Sequence, residues 1–231
     1  MLQLKEVHAH YGQSHVLHGV TLHVLPGEVV VLLGRNGSGR STTAKAIMGL
    51  VEACGSITWA GSRLDGLPPH SRARLGLGYV PEHRDVFPRM SVEQNLRLGV
   101  KPGVRLDPAR LDEMYTLFPA LKLRRQVPAG ALSGGEQQML SLGRTLMGEP
   151  RMLVVDEPTE GLAPQVVEQV AGCLLSLRQR GLAILLAEQK LAMALQIADR
   201  VLVMGQGAVV FDGTPAGLRA DEQVRRHWLE V

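Results

Sequence analysis

Apolar residues along this chain fall into short blocks whose spacing changes three times. Residues 2–11 and 16–24 alternate roughly between apolar and polar, the period of strands with one buried face. Val29-Val30-Val31-Leu32-Leu33 is apolar throughout, which predicts a strand covered on both faces. Residues 42–50 predict a helix, residues 55–61 a short strand between glycines, and 77–80 a strand stopped by Pro81. From Arg89 to Gly148 the pattern turns helical: Ser91 and Gln94 are spaced as a capping pair, 111–118 has helical spacing, and Ser133 with Glu136 forms a second capping box. Strands return at 152–155, 182–187, 201–204 and 208–212, with helices between the first three. Residues 223–229 predict a terminal helix whose Trp228 and Leu229 pack back on the core. The pattern predicts one α/β unit over 1–231, with 1–88 and 150–231 forming the core and a helical insertion over 89–149.

Composition narrows the partners. A content of 45% hydrophobic and 20% charged residues over 231 positions is that of a globular protein with ample core. A net charge of +3, no basic stripe and 3% aromatic residues argue against nucleic acid as a partner. Cys54 and Cys173 lack metal or redox spacing and read as reduced packing residues of a cytosolic protein. The first residues lack the apolar core of a signal peptide, and the longest apolar runs are too short to span a bilayer. Action at a membrane would therefore be from the aqueous side, through a partner.

Candidate chemistry comes from three motifs. Gly34-Arg35-Asn36-Gly37-Ser38-Gly39-Arg40-Ser41-Thr42 has the spacing of a phosphate-binding loop, G-x-x-x-x-G-K-[ST], with Arg40 in the lysine position. Its glycines let consecutive amides turn inward at a helix start, between a strand and a helix as the chemistry requires. Ser41 would place a hydroxyl on Mg²⁺, and the basic side chain would reach the β- and γ-phosphates of a nucleotide. Met152-Leu153-Val154-Val155-Asp156-Glu157-Pro158 is a buried strand ending in two acids. Asp156 is the candidate metal carboxylate, and Glu157 the group that orients and deprotonates the attacking water. Leu132-Ser133-Gly134-Gly135-Glu136-Gln137-Gln138 exposes unpaired amides at a helix start, a second phosphate-binding surface. One nucleotide on one chain has no need of two such starts, whereas two chains facing head to tail do.

In this order and spacing the motifs resemble the ATP-binding cassette of ABC transporters over essentially the whole chain. More narrowly the sequence resembles the LivF-type ATPase subunit of branched-chain amino-acid importers, on His10-Tyr11-Gly12, Val80-Pro81-Glu82 with Arg84 and Phe87, 132–140, 157–164 and Ala187-Glu188-Gln189. Urea-importer ATPase subunits look similar, and a non-transport ABC ATPase and a non-hydrolysing regulatory cassette are the alternatives of other classes. The resemblance implies a P-loop NTPase fold with a mixed central sheet, an N-terminal antiparallel β part and an inserted helical signature subdomain. It implies that Tyr11 stacks on adenine, that Glu82 stands where most cassettes have a glutamine touching Mg²⁺ and water, and that Gln189 replaces the switch histidine at the γ-phosphate. Gln189 can donate a hydrogen bond there but cannot carry a proton. The implied assembly is a second ATPase subunit, two membrane permeases and an external binding protein, with this chain on the cytoplasmic membrane face and the segment 82–98 receiving a short permease helix.

Arg40 departs from the loop pattern. A guanidinium keeps the charge but is planar and bulkier than an ammonium. Either it grips the phosphates, or this chain's loop is degenerate and its intact Ser133-Gly134-Gly135 serves the partner's ATP. Of the remaining features, His8, His10, His15, His18 and His23 read as strand-edge and loop histidines rather than a metal site. Arg72, Arg74 and His70 read as a solvated helix face, as do Lys122, Arg124 and Arg125.

Overall fold

The computed structural model describes residues 1–229. In chain order the elements are β1 (Leu2–Tyr11), β2 (Ser14–Val24), β3 (Val29–Leu33), α1 (Arg40–Met48), β4 (Glu52–Trp59), β5 (Ser62–Arg63), α2 (Pro69–Arg74) and β6 (Leu77–Val80). Four helices follow: α3 (Val92–Arg97), α4 (Pro108–Leu117), α5 (Pro119–Leu123) and α6 (Gly134–Leu146). The chain then returns to β7 (Met152–Asp156), α7 (Pro164–Gln179), β8 (Ala183–Glu188), α8 (Leu191–Ile197), β9 (Arg200–Gly205), β10 (Ala208–Gly213), α9 (Pro215–Ala220) and α10 (Glu222–Trp228).

Two sheets result. The central one runs β10-β9-β3-β8-β7-β6; all neighbours pair in parallel except β10, which is antiparallel to β9. The other is antiparallel, in the order β2-β1-β4-β5. The apolar runs of β3, β7 and β8 have the physical reason the sequence suggested: both faces are covered. Val29, Val31 and Leu33 enter one core cluster with Leu153, Val155, Ile184, Leu186 and side chains of α3, α6, α7 and α8. Val30 and Leu32 enter the other, with Val154, Leu185, α1 and the antiparallel sheet. The helices between β6 and β7 occupy the stretch where helices were predicted, and both capping boxes form, Ser91 with Gln94 and Ser133 with Glu136. Trp228 and Leu229 pack on the first cluster. Among the described residues no helix is long and apolar enough to cross a membrane.

One surface assignment is corrected. Arg72 is not on a solvated face: it is 6% exposed and reaches under the C-terminus of α1. Its Nη1 donates to the carbonyls of Ala46 and Ile47, both at 2.8 Å, and its Nε to Leu67 O at 2.9 Å. Helix ends leave carbonyls unpaired and carry partial negative charge, so a buried guanidinium caps this one. Gly49 ends the helix at φ 73° and lies against that guanidinium, 2.8 Å from where a Cβ would sit, so both backbone and space demand glycine. Sequence spacing placed Arg72 on α2, but only the packing of α2 against α1 buries it.

The histidines do gather. His10 stacks on His15 at 4.2 Å, His15 meets His18 at 4.1 Å, and His8 Nδ1 lies 3.1 Å from His15 Nε2. Among the described residues no three His, Cys, Asp or Glu side chains are arranged to hold a metal ion. Loss of water among the rings, then the charges of His18, His10 and His8, holds His15 below its usual 6.5.

Two stability measurements follow from this packing. Arg72→Ala takes the guanidinium donor from the Ile47 and Leu67 carbonyls and one of two donors from Ala46 O, and lowers unfolding stability in urea by about 2–3 kcal/mol, with little change in m. For His15, the unfolded chain takes its proton near the ordinary value while the folded chain resists, so stability is flat above that pH and falls as pH drops through it. His15→Gln flattens that part of the urea-midpoint profile between about pH 7 and 5.

Candidate active site

Parallel pairing sets the ends of three central strands level: Leu33 pairs with Glu188, and Asp156 with Ala187. The loops that follow β3, β8 and β7 therefore leave the same edge of the sheet, where open α/β sheets bind ligands. After β3 the chain turns through the glycine loop. A Cβ on Gly34 would lie 2.4 Å from Ser38 Oγ and 2.7 Å from Met204 O, so the turn closes only without one. Gly39 caps α1 at φ 105° with no side-chain hydrogen bond, leaving the first-turn amides of α1 for a ligand. Ser38 Oγ is buried with no partner in the protein, a donor facing the same cradle. Arg35, Asn36 and Gly37 form the exposed rim, and Thr42 is buried behind it. The loop is anchored from behind: Gly207 N donates to Ser38 O at 3.0 Å, and His18 N to Gly207 O at 2.8 Å.

Ser41 Oγ donates to Asp156 Oδ1 at 2.8 Å, and the Tyr79 hydroxyl to Asp156 Oδ2 at 3.3 Å. Asp156 is fully buried, and burial raises its carboxyl pKa against the opposing pull of Ser41, Tyr79, Lys45 and Arg40. A hydroxyl and a carboxylate are hard oxygen donors of the kind Mg²⁺ takes alongside phosphate oxygens and water, so the residues present fit that ion. Glu157 sits one residue beyond the strand in a left-handed conformation, φ 45°, held by its amide to Ala187 O at 2.9 Å. Strain of this kind persists where the surroundings over-determine it.

Arg40 fills the space between these groups. Its guanidinium is 3% exposed; Nη1 donates to Gly34 O and, at 2.9 Å, to Glu188 O, while Nη2 donates to Asn36 Oδ1 at 3.3 Å and Glu157 Oε1 at 2.5 Å. The arginine is thus paired with the carboxylate that the sequence marks as the base. Burial raises the Glu157 pKa, Arg40 lowers it, and the charges of Glu160, Glu82 and Asp156 raise it again.

Glu82 follows β6 by two residues, is partly exposed, and stands near enough to Glu157 to act on its charge. Gln189 is exposed at the end of β8, its amide donating to the Glu188 carboxylate at 2.8 Å. Tyr11 is exposed at the tip of the β1–β2 hairpin, opposite Ser14, its ring open to stacking. Ser133, Gly134, Gly135 and Glu136 start α6 elsewhere: Ser133 Oγ accepts from Glu136 N at 3.3 Å, Glu136 Oε2 from Ser133 N at 2.8 Å, and Glu136 pairs with Arg124. The side chains nearest Gly134 and Gly135 are those of Arg84 and Val166. The Ser133 hydroxyl hydrogen is left to donate to a ligand brought to this helix start.

Sequence reasoning assigned no role to Tyr79, Thr159 or Glu188, all of which contact site groups. Glu188 was findable, because an apolar strand ending in a carboxylate is the same signal that marks Asp156. Thr159 and Tyr79 carry no comparable signal.

With this geometry in view, the comparisons with known proteins agree. The family model described as ABC transporter matches residues 17–160. The chain is 41% identical to the high-affinity branched-chain amino acid transport ATP-binding protein BraG of Pseudomonas aeruginosa over 99% of both chains. It is 35% identical to the probable branched-chain amino acid transport ATP-binding protein LivF of Archaeoglobus fulgidus, over 98% of this chain and 97% of that one. The structure of an ATP-binding cassette of an ABC transporter in its ADP conformation superposes with a TM-score of 0.85 at 25% identity, over 98% and 97% of the two chains. This chain belongs to the ABC transporter family. It is an ATP-binding ATPase cassette, with the P-loop fold the motifs implied.

The electrostatics have a consequence that titration reads. Because Arg40 holds the Glu157 carboxyl down against burial, Arg40→Gln raises the Glu157 pKa further above the ordinary carboxylate range. Carboxyl ¹³C NMR of Glu157 in the two proteins measures the difference, and the acid limb of any Glu157-dependent rate moves to higher pH with it.

Proposed function

We infer that this chain is the ATP-hydrolysing subunit of an importer for branched-chain amino acids, working as one cassette over 1–231 with 89–149 as its signature subdomain. The cargo rests on the likeness to BraG over the full length of both chains. The hydrolytic role rests on the meeting of the glycine loop, the Ser41–Asp156 pair and Glu157 at one sheet edge.

In this reading Tyr11 stacks on adenine, and the loop amides of 34–42 with Ser38 Oγ take the phosphates. Ser41, Asp156 and Glu82 would hold Mg²⁺, which would supply positive charge to the phosphate oxygens. Arg40 exchanges its carboxylate partner for phosphate, a dianionic acceptor that suits a guanidinium fork. That exchange frees Glu157 to orient and deprotonate water, while Gln189 donates to the γ-phosphate. Ser133, Gly134, Gly135 and Glu136 contact the ATP carried by a second ATPase subunit, so two cassettes close over two nucleotides.

The exposed side chains of Leu50, Phe87 and Leu98 line a groove with His70, Tyr79 and Arg144 between α1, α2 and the helical stretch. This groove receives a short helix of one permease, and an external binding protein delivers the substrate. The chain acts peripherally on the cytoplasmic membrane face.

Three measurements test this reading. Mg-ATP calorimetry on the parent and on Arg40→Lys gives dissociation constants within about threefold of each other; binding recovered only with lysine would make the loop degenerate and the chain a signature donor for its partner. Glu157→Gln binds Mg-ATP as the parent does but turns it over at least about a hundredfold more slowly in the assembled transporter. Removing the chain from its cell abolishes uptake of labelled leucine; unchanged leucine uptake with lost urea uptake would replace the cargo.

A further inference from the structure

Glu188 is the last residue of β8, 2% exposed, and its carboxylate meets Gln189 at the backbone amide rather than at the side chain that the proposed chemistry uses. Its contacts nevertheless bind three loops together. Oε1 accepts from the amides of Gln189 at 2.8 Å and Lys190 at 3.0 Å. Oε2 accepts from Thr159 Oγ1 at 2.7 Å, and Thr159, fully buried, lies two residues beyond Glu157. The Glu188 carbonyl accepts from Arg40 at 2.9 Å, and Lys190 Nζ closes the ring by donating to Thr159 O at 2.9 Å. A carboxylate can accept several hydrogen bonds at once, and two separate polar atoms on a side chain of this length, one an acceptor for both amides, are what the arrangement needs.

We propose that Glu188 is a positioning residue for ATP hydrolysis. It locks the loop that carries Gln189, the loop that follows Glu157 and the guanidinium of Arg40 into one unit. A displacement of Gln189 at the γ-phosphate is then transmitted through the Glu188 carboxylate to Thr159, and so to the backbone that holds Glu157 in its left-handed conformation. Without this carboxylate the two loops move independently, and the base and the γ-phosphate contact lose their common register. The proposal rests on the hydrolytic reading above for its kinetic part, and on the hydrogen bonds alone for its structural part.

Three variants separate positioning from mere support. Glu188→Ala leaves the Gln189 and Lys190 amides and the Thr159 hydroxyl without their acceptor. Glu188→Gln restores them, because its carbonyl accepts both amides and its Nε2 donates to a hydroxyl that can accept. Thr159→Val cuts only the link between the loops. Amide hydrogen exchange is followed on the nucleotide-free chain, and ATP turnover in the assembled transporter. Glu188→Ala is expected to speed exchange about tenfold or more over 157–162 and 189–191 together, leaving the β3 and β7 amides protected. Its kcat falls about tenfold with KM for ATP changed less than about threefold. Thr159→Val reproduces the faster exchange over 157–162, and Glu188→Gln stays within about threefold of the parent on every readout.

Exchange that rises only at 189–191, or equally throughout the central sheet, overturns the proposal; so does a Gln variant as impaired as the Ala variant. A parent transporter that does not turn over ATP overturns the hydrolytic reading instead, and the exchange pattern still decides whether Glu188 couples the loops.

Discussion

Parallel alignment of β3, β8 and β7 is the constraint on which the site depends. Parallel strands require crossover connections, and here the helices of those crossovers together with the antiparallel sheet cover the central strands on both faces. Level strand ends then deliver residues near 34–41, 156–157 and 188–189 to one edge, although more than a hundred positions separate the first from the others. The same burial that makes the edge rigid makes charge there expensive. Asp156, Glu188 and Arg40 are almost wholly removed from water, and each is tolerated because its polar atoms find partners.

Arg40 shows how this edge uses a residue that departs from the loop pattern. An ammonium is a compact point charge with three donors, whereas a guanidinium presents five in a plane. The plane spans two strand-end carbonyls, the Asn36 side chain and the Glu157 carboxylate, so a single side chain connects the loop after β3 to the ends of β7 and β8. The arginine is therefore part of the scaffold as well as a charge, and its influence on Glu157 is a direct result of that reach.

The antiparallel sheet and the helical stretch stand in a different relation to the centre. β2 reaches the loop through Leu17, against Gly39, and through the hydrogen bond of His18 to Gly207, so the hairpin bearing Tyr11 is anchored to the glycine loop from behind. The start of α6 is organised separately: its capping box satisfies the Ser133 and Glu136 amides, and Arg124, Arg84 and Val166 lie around it. A helix start with a free hydroxyl hydrogen and two glycines, set apart from the chain's own loop, has the form of a surface offered to another molecule.

Much of this was legible in the linear pattern, and the reason is local. Apolar runs of four to six residues mark strands buried on both faces, as β3, β7 and β8 are, and capping pairs such as Ser91 with Gln94 write helix starts into four consecutive positions. Glycine spacing and strand-terminal acids mark 34–42, Asp156 and Glu157 as candidates within short stretches of backbone, and the fold brings them to one sheet edge. The order of strands in the sheet, the burial of Arg72 under α1, the pairing of Arg40 with Glu157 and the carboxylate bridge of Glu188 were decided by tertiary structure alone. Each joins residues on different elements, and a hydrogen bond between them depends on strand register and helix packing, which no local run of residues encodes.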